Sequence, residues 1–161
     1  MKLNGFVIAA IVLILAWGGW RLYESVSPNE PDQVKIERAL DRSIRDSREG
    51  KPGGVLDLLS QKITLNQANV GADRRQIADF IKNSKPSFDV RNKTAKVFGD
   101  EARIVSPVGL SLAPFGERTI SEVTLIFQRE SDRAYGIIPV SRWKLVDIRM
   151  EESAVNDLIG F

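Results

Sequence analysis

A chain of 161 residues with neither histidine nor cysteine can build no Ser-His-Asp triad, no thiolate nucleophile, no nitrogen–sulfur zinc site and no disulfide. Its formal charge of +2 is also misleading: of 23 Lys and Arg residues, Lys2 and Arg21 flank an apolar run, which leaves 21 basic against 21 acidic residues in the remainder. That neutral remainder lacks the positive excess on which nucleic-acid binders depend, and neither a metal nor a cofactor is expected.

Residues 5–20, GFVIAAIVLILAWGGW, carry no charge. A membrane-crossing helix needs about 20 apolar residues, with a lower limit of about 17, and Leu3, Leu22 and Tyr23 extend the run to that length. Phe6, Ile11, Leu15, Trp17 and Trp20 are the side chains expected to meet lipid. Trp17, Trp20 and Tyr23 gather at its C-terminal end, where amphipathic rings favour the headgroup layer. Lys2 and the N-terminal amine place the N-terminus in the cytoplasm and the following domain outside, in a bacterial periplasm or at the cell exterior. A cleaved signal peptide is the competing account, but Ala16-Trp17-Gly18 is the nearest small-x-small site and its neighbours are bulky. A soluble core helix would show a polar face, and none exists along the run. The expected organisation is an anchor over 1–23, a tether over 24–32, a domain over 33–150 and a tail over 151–161.

The tether, SVSPNEPD over 25–32, contains two prolines, which stiffen it. A helix follows, with Val34, Ile36, Leu40 and Ile44 on one face and Gly50 as its stop. The GKPGG run over 50–54 invites a phosphate-loop reading. It lacks the required spacing and the Ser/Thr after lysine, and it follows a helix instead of a strand, so a helix-to-helix turn is the better account. A short second helix is expected over 55–59 and a brief strand over 62–65. Asp73 caps a third helix carrying Ile77, Phe80 and Ile81 and ending near Pro86, and Arg74-Arg75 at its start reads as solvated surface.

The apolar period then changes from 3.6 to 2. Strands are expected over 88–98, over 102–112 (Ile104, Val108, Leu110 and Leu112 on one face), over 119–129 (Val123, Leu125 and Phe127 together) and over 137–150. Turns fall at Gly99-Asp100, over 113–116 and at Ser131-Asp132-Arg133. The tail offers Leu158, Ile159 and Phe161 for packing. Three helices followed by four long antiparallel strands make an α+β arrangement.

The order helix, GKPGG break, VLDLL, short strand, DRRQIADFI helix and a meander ending SRWKLVDIRM resembles the nuclear transport factor 2-like superfamily over about 34–150. That superfamily includes the SnoaL-like polyketide cyclases, ketosteroid isomerase, scytalone dehydratase and many non-catalytic binding domains. The resemblance implies a curved four-stranded antiparallel sheet wrapped round the long first helix, with a conical cavity between them. Without histidine, the dehydratase mechanism is excluded. A carboxylate-and-tyrosine site of the isomerase type stays chemically open, although the two tyrosines, Tyr23 and Tyr135, lie at the membrane boundary and at a strand start.

Asp147 shares its parity with Trp143 and Leu145. If that face lines the cone, burial raises its pKa and makes it a proton acceptor. The plainer account is an ion pair with Arg103, Arg142 or Arg149. Glu122, which interrupts the alternation of its strand, is the second carboxylate of interest, and Trp143 is either a pocket roof or core. The ligand- or partner-binding candidates are therefore Glu122, Val123, Leu125, Phe127, Trp143, Leu145 and Asp147, with strands 120–127 and 137–145 as the surface. The expected function is a membrane-anchored, extracytoplasmic, non-catalytic domain that binds a membrane or envelope protein or a small hydrophobic ligand, a homodimer included. The alternatives are a small isomerase, dehydratase or cyclase with a cavity carboxylate as base, or a secreted protein with a cleaved leader.

Overall fold

The computed structural model describes residues 30–69, 73–112, 116–134 and 138–154. The anchor over 1–23, the tether before Glu30, Tyr135 and the tail beyond Ala154 lie outside the described residues. Among those described, no helix is long and apolar enough to cross a membrane.

Helix α1 (Asp32–Arg48) buries Ile36, Leu40, Ser43 and Ser47, a stripe at helical spacing. Its two serines are tolerable inside because a buried hydroxyl needs only a partner: Ser47 donates to the Pro86 carbonyl at 2.8 Å. The helix ends at Gly50, whose φ of 71° suits glycine. Helix α2 (Pro52–Leu58) starts on proline, which lacks only an N–H the first turn would leave unpaired.

Gly54 in α2 is buried, and a Cβ there would collide with the Asp46 carboxylate of α1, itself paired with Arg42 and Arg45. The GKPGG run is thus a helix-to-helix turn in which Gly50 supplies the left-handed backbone and Gly54 the close packing. Gly54→Ala is expected to lower stability by about 1 kcal/mol, read as a drop in Tm at unchanged far-UV circular dichroism.

The chain passes from α2 directly into β1 (Leu59–Leu65) and β2 (Ala68–Asn69). Helix α3 (Arg74–Ser84) opens on a complete capping box between Asp73 and Gln76 and closes on Lys85 in the left-handed region. Strands β3 (Ser87–Val90), β4 (Lys96–Phe98), β5 (Glu101–Leu112), β6 (Gly116–Ala134) and β7 (Ile138–Met150) complete one curved sheet. Its order is β2-β1-β7-β6-β5-β3, with β4 also paired to β5.

Three expectations need correction. Among the described residues the sheet has seven strands where four long ones were expected, and it is mixed, because β1 runs parallel to β7. A strand as short as β1 carries no sequence mark of its partner's direction. The single strand expected over 88–98 is two, β3 and β4, each on β5. Between them Asn92 accepts from the Thr94 amide and gives its own amide to the Ser106 hydroxyl, so side chains replace the ladder there. Finally, Ser131-Asp132-Arg133 is no turn: β6 stays paired with β7 out to Ala134 and Ile138. Turn-prone residue types are tolerated in a ribbon when the partner strand satisfies their backbone.

The core lies between the helices and the inner face of the sheet. Ile36 and Leu40 of α1 and Leu58 of α2 meet Val90, Ala95, Ala102, Ile104, Val123, Leu125, Phe127, Trp143 and Leu145.

Candidate binding site

Five of the residues singled out from sequence come together on that inner face. Val123, Leu125, Phe127, Trp143 and Leu145 are all buried, Phe127 completely, and they are core. The two carboxylates do not join them, and two strand irregularities explain why. One residue step on β6, from Ile126 to Phe127, faces two steps on β7, from Asp147 to Leu145. Val146 is the extra residue, and an extra residue inverts the alternation beyond it. Past this bulge Ile148 and Met150 pack against the core, while Asp147 pairs with Ile126 on the outer face. On β6, three steps from Ile120 to Val123 face two on β5 from Val108 to Ser106. The irregularity at Ser121-Glu122 leaves Glu122 exposed and returns Ile120 to the core side.

Asp147 is 6 % exposed and fully engaged. The Thr64 hydroxyl donates to Oδ1 at 2.6 Å, the Gln67 amide to Oδ1 at 3.2 Å and Arg149 Nε to Oδ2 at 2.8 Å. The turn that delivers Gln67 is itself fixed to β7. Asn66 and Gln67 both have positive φ, and the Asn66 side-chain amide exchanges two hydrogen bonds with the Met150 backbone, each at 2.9 Å. Burial works to raise the Asp147 pKa, but the hydrogen bonds from Thr64, Arg149 and the Gln67 backbone, with the Arg149 charge, outweigh it and hold the carboxyl below its ordinary 3.8. The upward shift that a place inside the cone would bring is therefore absent, and the ion-pair account holds. A carboxylate stabilised in this way is a structural anion at neutral pH, and Arg149 is the partner among the three arginines considered.

A second polar cluster was not singled out from sequence. The Arg129 guanidinium lies 5.1 Å from the centre of the Trp143 ring, a cation–π distance, and pairs with Asp32 at the start of α1 and with Asp100. Burial pushes the Asp32 carboxyl up, yet the hydrogen bond from Trp143 and the charges of Arg129 and Lys35 bring it below 3.8. This latch ties the first turn of α1 to the middle of the β6–β7 ribbon. Detecting it in sequence required the β6–β7 register, which places Arg129 opposite Trp143 and which a turn at 131–133 would have shifted.

Open space lies at the margins of the sheet. One groove of about 640 Å³ is bordered by Arg118, Glu122, Arg149 and Met150, and another of about 770 Å³ by β1, α3 and the β6–β7 ribbon. Among the described residues no group of three or more acidic side chains is placed to hold a metal ion.

The long α1, the short α2 and α3, and a curved sheet closing over an apolar inner face define the nuclear transport factor 2-like fold. Solved structures share it, three of them as follows. A nuclear transport factor 2-like protein of unknown function from Shewanella oneidensis superposes with a TM-score of 0.52 at 15% identity, over 71% of this chain and 94% of that one. A similar protein of unknown function in nutrient uptake from Rhodospirillum rubrum gives 0.50 at 17%, over 71% and 94%. The CaMKII hub of S. rosetta gives 0.50 at 16%, over 76% and 97%. At these identities the likeness is one of fold. No family model and no curated protein matches the chain.

Proposed function

We propose that this chain is a single-pass membrane protein whose nuclear transport factor 2-like domain, held outside the cytoplasm, binds a partner protein or small ligand without catalysing a reaction. The observation that carries the non-catalytic part is the filling of the inner face. Phe127, Ile36 and Ile104 are each 0% exposed there, with Trp143 and Leu145 beside them. General-base chemistry on an apolar substrate needs a carboxylate inside an enclosed pocket, whereas Asp147 lies on the outer face and Glu122 is exposed. The membrane part rests on the uncharged run over 5–20 and its aromatic edge.

Both parts are tested on the full-length protein in its native membrane. Resistance to alkaline extraction together with an intact N-terminus is the expected result, and a mature N-terminus near Gly19 in a soluble fraction overturns the anchor. Crosslinking followed by affinity capture then reads the partner. A reproducible envelope protein, or a second copy of the chain, is expected. Turnover of a hydrophobic ketone or epoxide that survives loss of all such contacts would favour the enzyme instead.

A further inference from the structure

Among the described residues the large apolar side chains left exposed are Val34, Phe80, Val97, Phe98 and Val105. Phe80 of α3 and Val105 of β5 stand singly, which is ordinary for a surface. The other three gather at the start of the domain. Val97 and Phe98 are neighbours on β4 and line one groove with Pro31, and Phe98 is 62% exposed. Val34 lies one turn into α1, its amide bonded to the Pro31 carbonyl at 3.0 Å.

The cluster is built on a fixed hairpin tip. β4 pairs only with β5, and all of its side chains are exposed. Phe98 sits opposite Glu101 across the turn Gly99-Asp100. The Arg129 amide holds that turn by donating to the Asp100 carbonyl at 3.0 Å. At the other end of β4 the Ala95 amide donates to Glu37 of α1 at 3.4 Å. An apolar pair presented this way needs no reordering on contact. The surrounding acids are already paired, Asp32 with Lys35 and Arg129, Asp100 with Arg129, and Glu101 with Arg103. Lys96 is exposed beside the pair.

We infer that the β4 tip, with Val97 and Phe98 foremost, docks into the headgroup layer of the bilayer to which the chain is tethered. The tether selects lipid as the occupant. Only residues 24–30 separate Tyr23, at the end of the apolar run, from Pro31, a reach under about 30 Å even when fully extended. Pro31 belongs to the groove itself, so the apolar cluster is kept within that distance of the membrane. Aromatic and aliphatic side chains flanked by a lysine suit the membrane–water interface. Asp100 and Glu101, charged next to Phe98, confine the contact to the headgroup layer. The assignment rests on residues 5–20 being a membrane anchor, and adds which face of the domain meets the membrane.

The test uses full-length protein in phosphatidylcholine vesicles. Because the chain has no cysteine, Thr94→Cys in the groove and Lys62→Cys on β1 can each carry a single fluorophore. Flotation with the vesicles reads the anchor alone, and quenching by lipids with a nitroxide near the headgroup reads the docking. The Thr94→Cys label is expected to be quenched at least about twofold more than the Lys62→Cys label. Adding Val97→Ser with Phe98→Ser is expected to abolish the difference. Should that double variant lose its melting transition, Phe98→Ser alone is expected to reduce it. Equal quenching of the two labels in protein that floats, or a difference that survives the serines, overturns the docking and leaves the anchor standing. Protein that does not float overturns both. Self-quenching of the Thr94→Cys label that vanishes on dilution with lipid, without quenching by nitroxide lipid, assigns the cluster to a second copy of the chain and overturns the docking.

Discussion

Truncation of Phe127 to alanine is expected to remove about 3 to 5 kcal/mol of stability, the range for deleting a buried aromatic ring from a core that cannot collapse around the gap. Phe127 is the largest fully buried side chain among the described residues. It sits mid-sheet, opposite Ala102 on β5 and Leu145 on β7, and the small neighbour gives the ring its space. Three strands fix the backbone around it, so relaxation into the void is restricted. Domains of this size are stable by about 5 to 15 kcal/mol in total, so the variant should unfold at much lower urea with an unchanged m value. The same measurement bears on function. A loss below about 1 kcal/mol would mean that the ring lines an open cone, and the non-catalytic proposal would lose its main support.

The helices were legible because each carries its own start, stripe and stop. Ile36 and Leu40 mark the buried side of α1, Gly50 its end, and Asp73 with Gln76 the start of α3. The inner-face residues of β6 were legible for the same local reason, an alternation of period two from Val123 to Phe127. What failed was long-range or depended on a single inserted residue. Counting in twos from Trp143 would put Asp147 on the cone face, and Val146 breaks that count. Its trace is nevertheless in the sequence: Leu145-Val146 are adjacent apolar residues, after which Ile148 and Met150 continue on the opposite parity. Ile120 followed by Val123 carries the same mark at the Ser121-Glu122 irregularity. The polar groove beside β1 left no such trace. Lys62, Arg74, Arg142 and Lys144 converge only because β1 lies parallel to β7, and that pairing is written in no local pattern.

The bulge at Val146 also decides how the protein should respond to acid. Asp147→Ala is expected to cost about 2 to 3 kcal/mol near neutral pH, since it leaves the Thr64 hydroxyl, the Gln67 amide and the Arg149 guanidinium without their shared acceptor. Asp147→Asn keeps the shape and an acceptor oxygen but removes the charge, so it should cost less and isolate the ionised part. The folded carboxyl titrates below 3.8, whereas in the unfolded chain it titrates near that ordinary value. The ionised form is thus preferred in the folded state, and its stabilisation is complete above about pH 5. As pH falls through the folded pKa that contribution disappears. The stability gap between wild type and Asp147→Asn should therefore shrink as urea unfolding is moved from pH 7 to pH 3. Taking the difference between the two proteins cancels the parallel titration of Asp32, which lies in the separate latch on Trp143. A carboxyl buried in an apolar cone would behave in the opposite way. Its folded pKa would be raised, acid would favour the folded state, and the wild type would gain on the variant as pH falls. A gap that widens towards acid would restore Asp147 as a proton acceptor and return the domain to the enzymes of its fold.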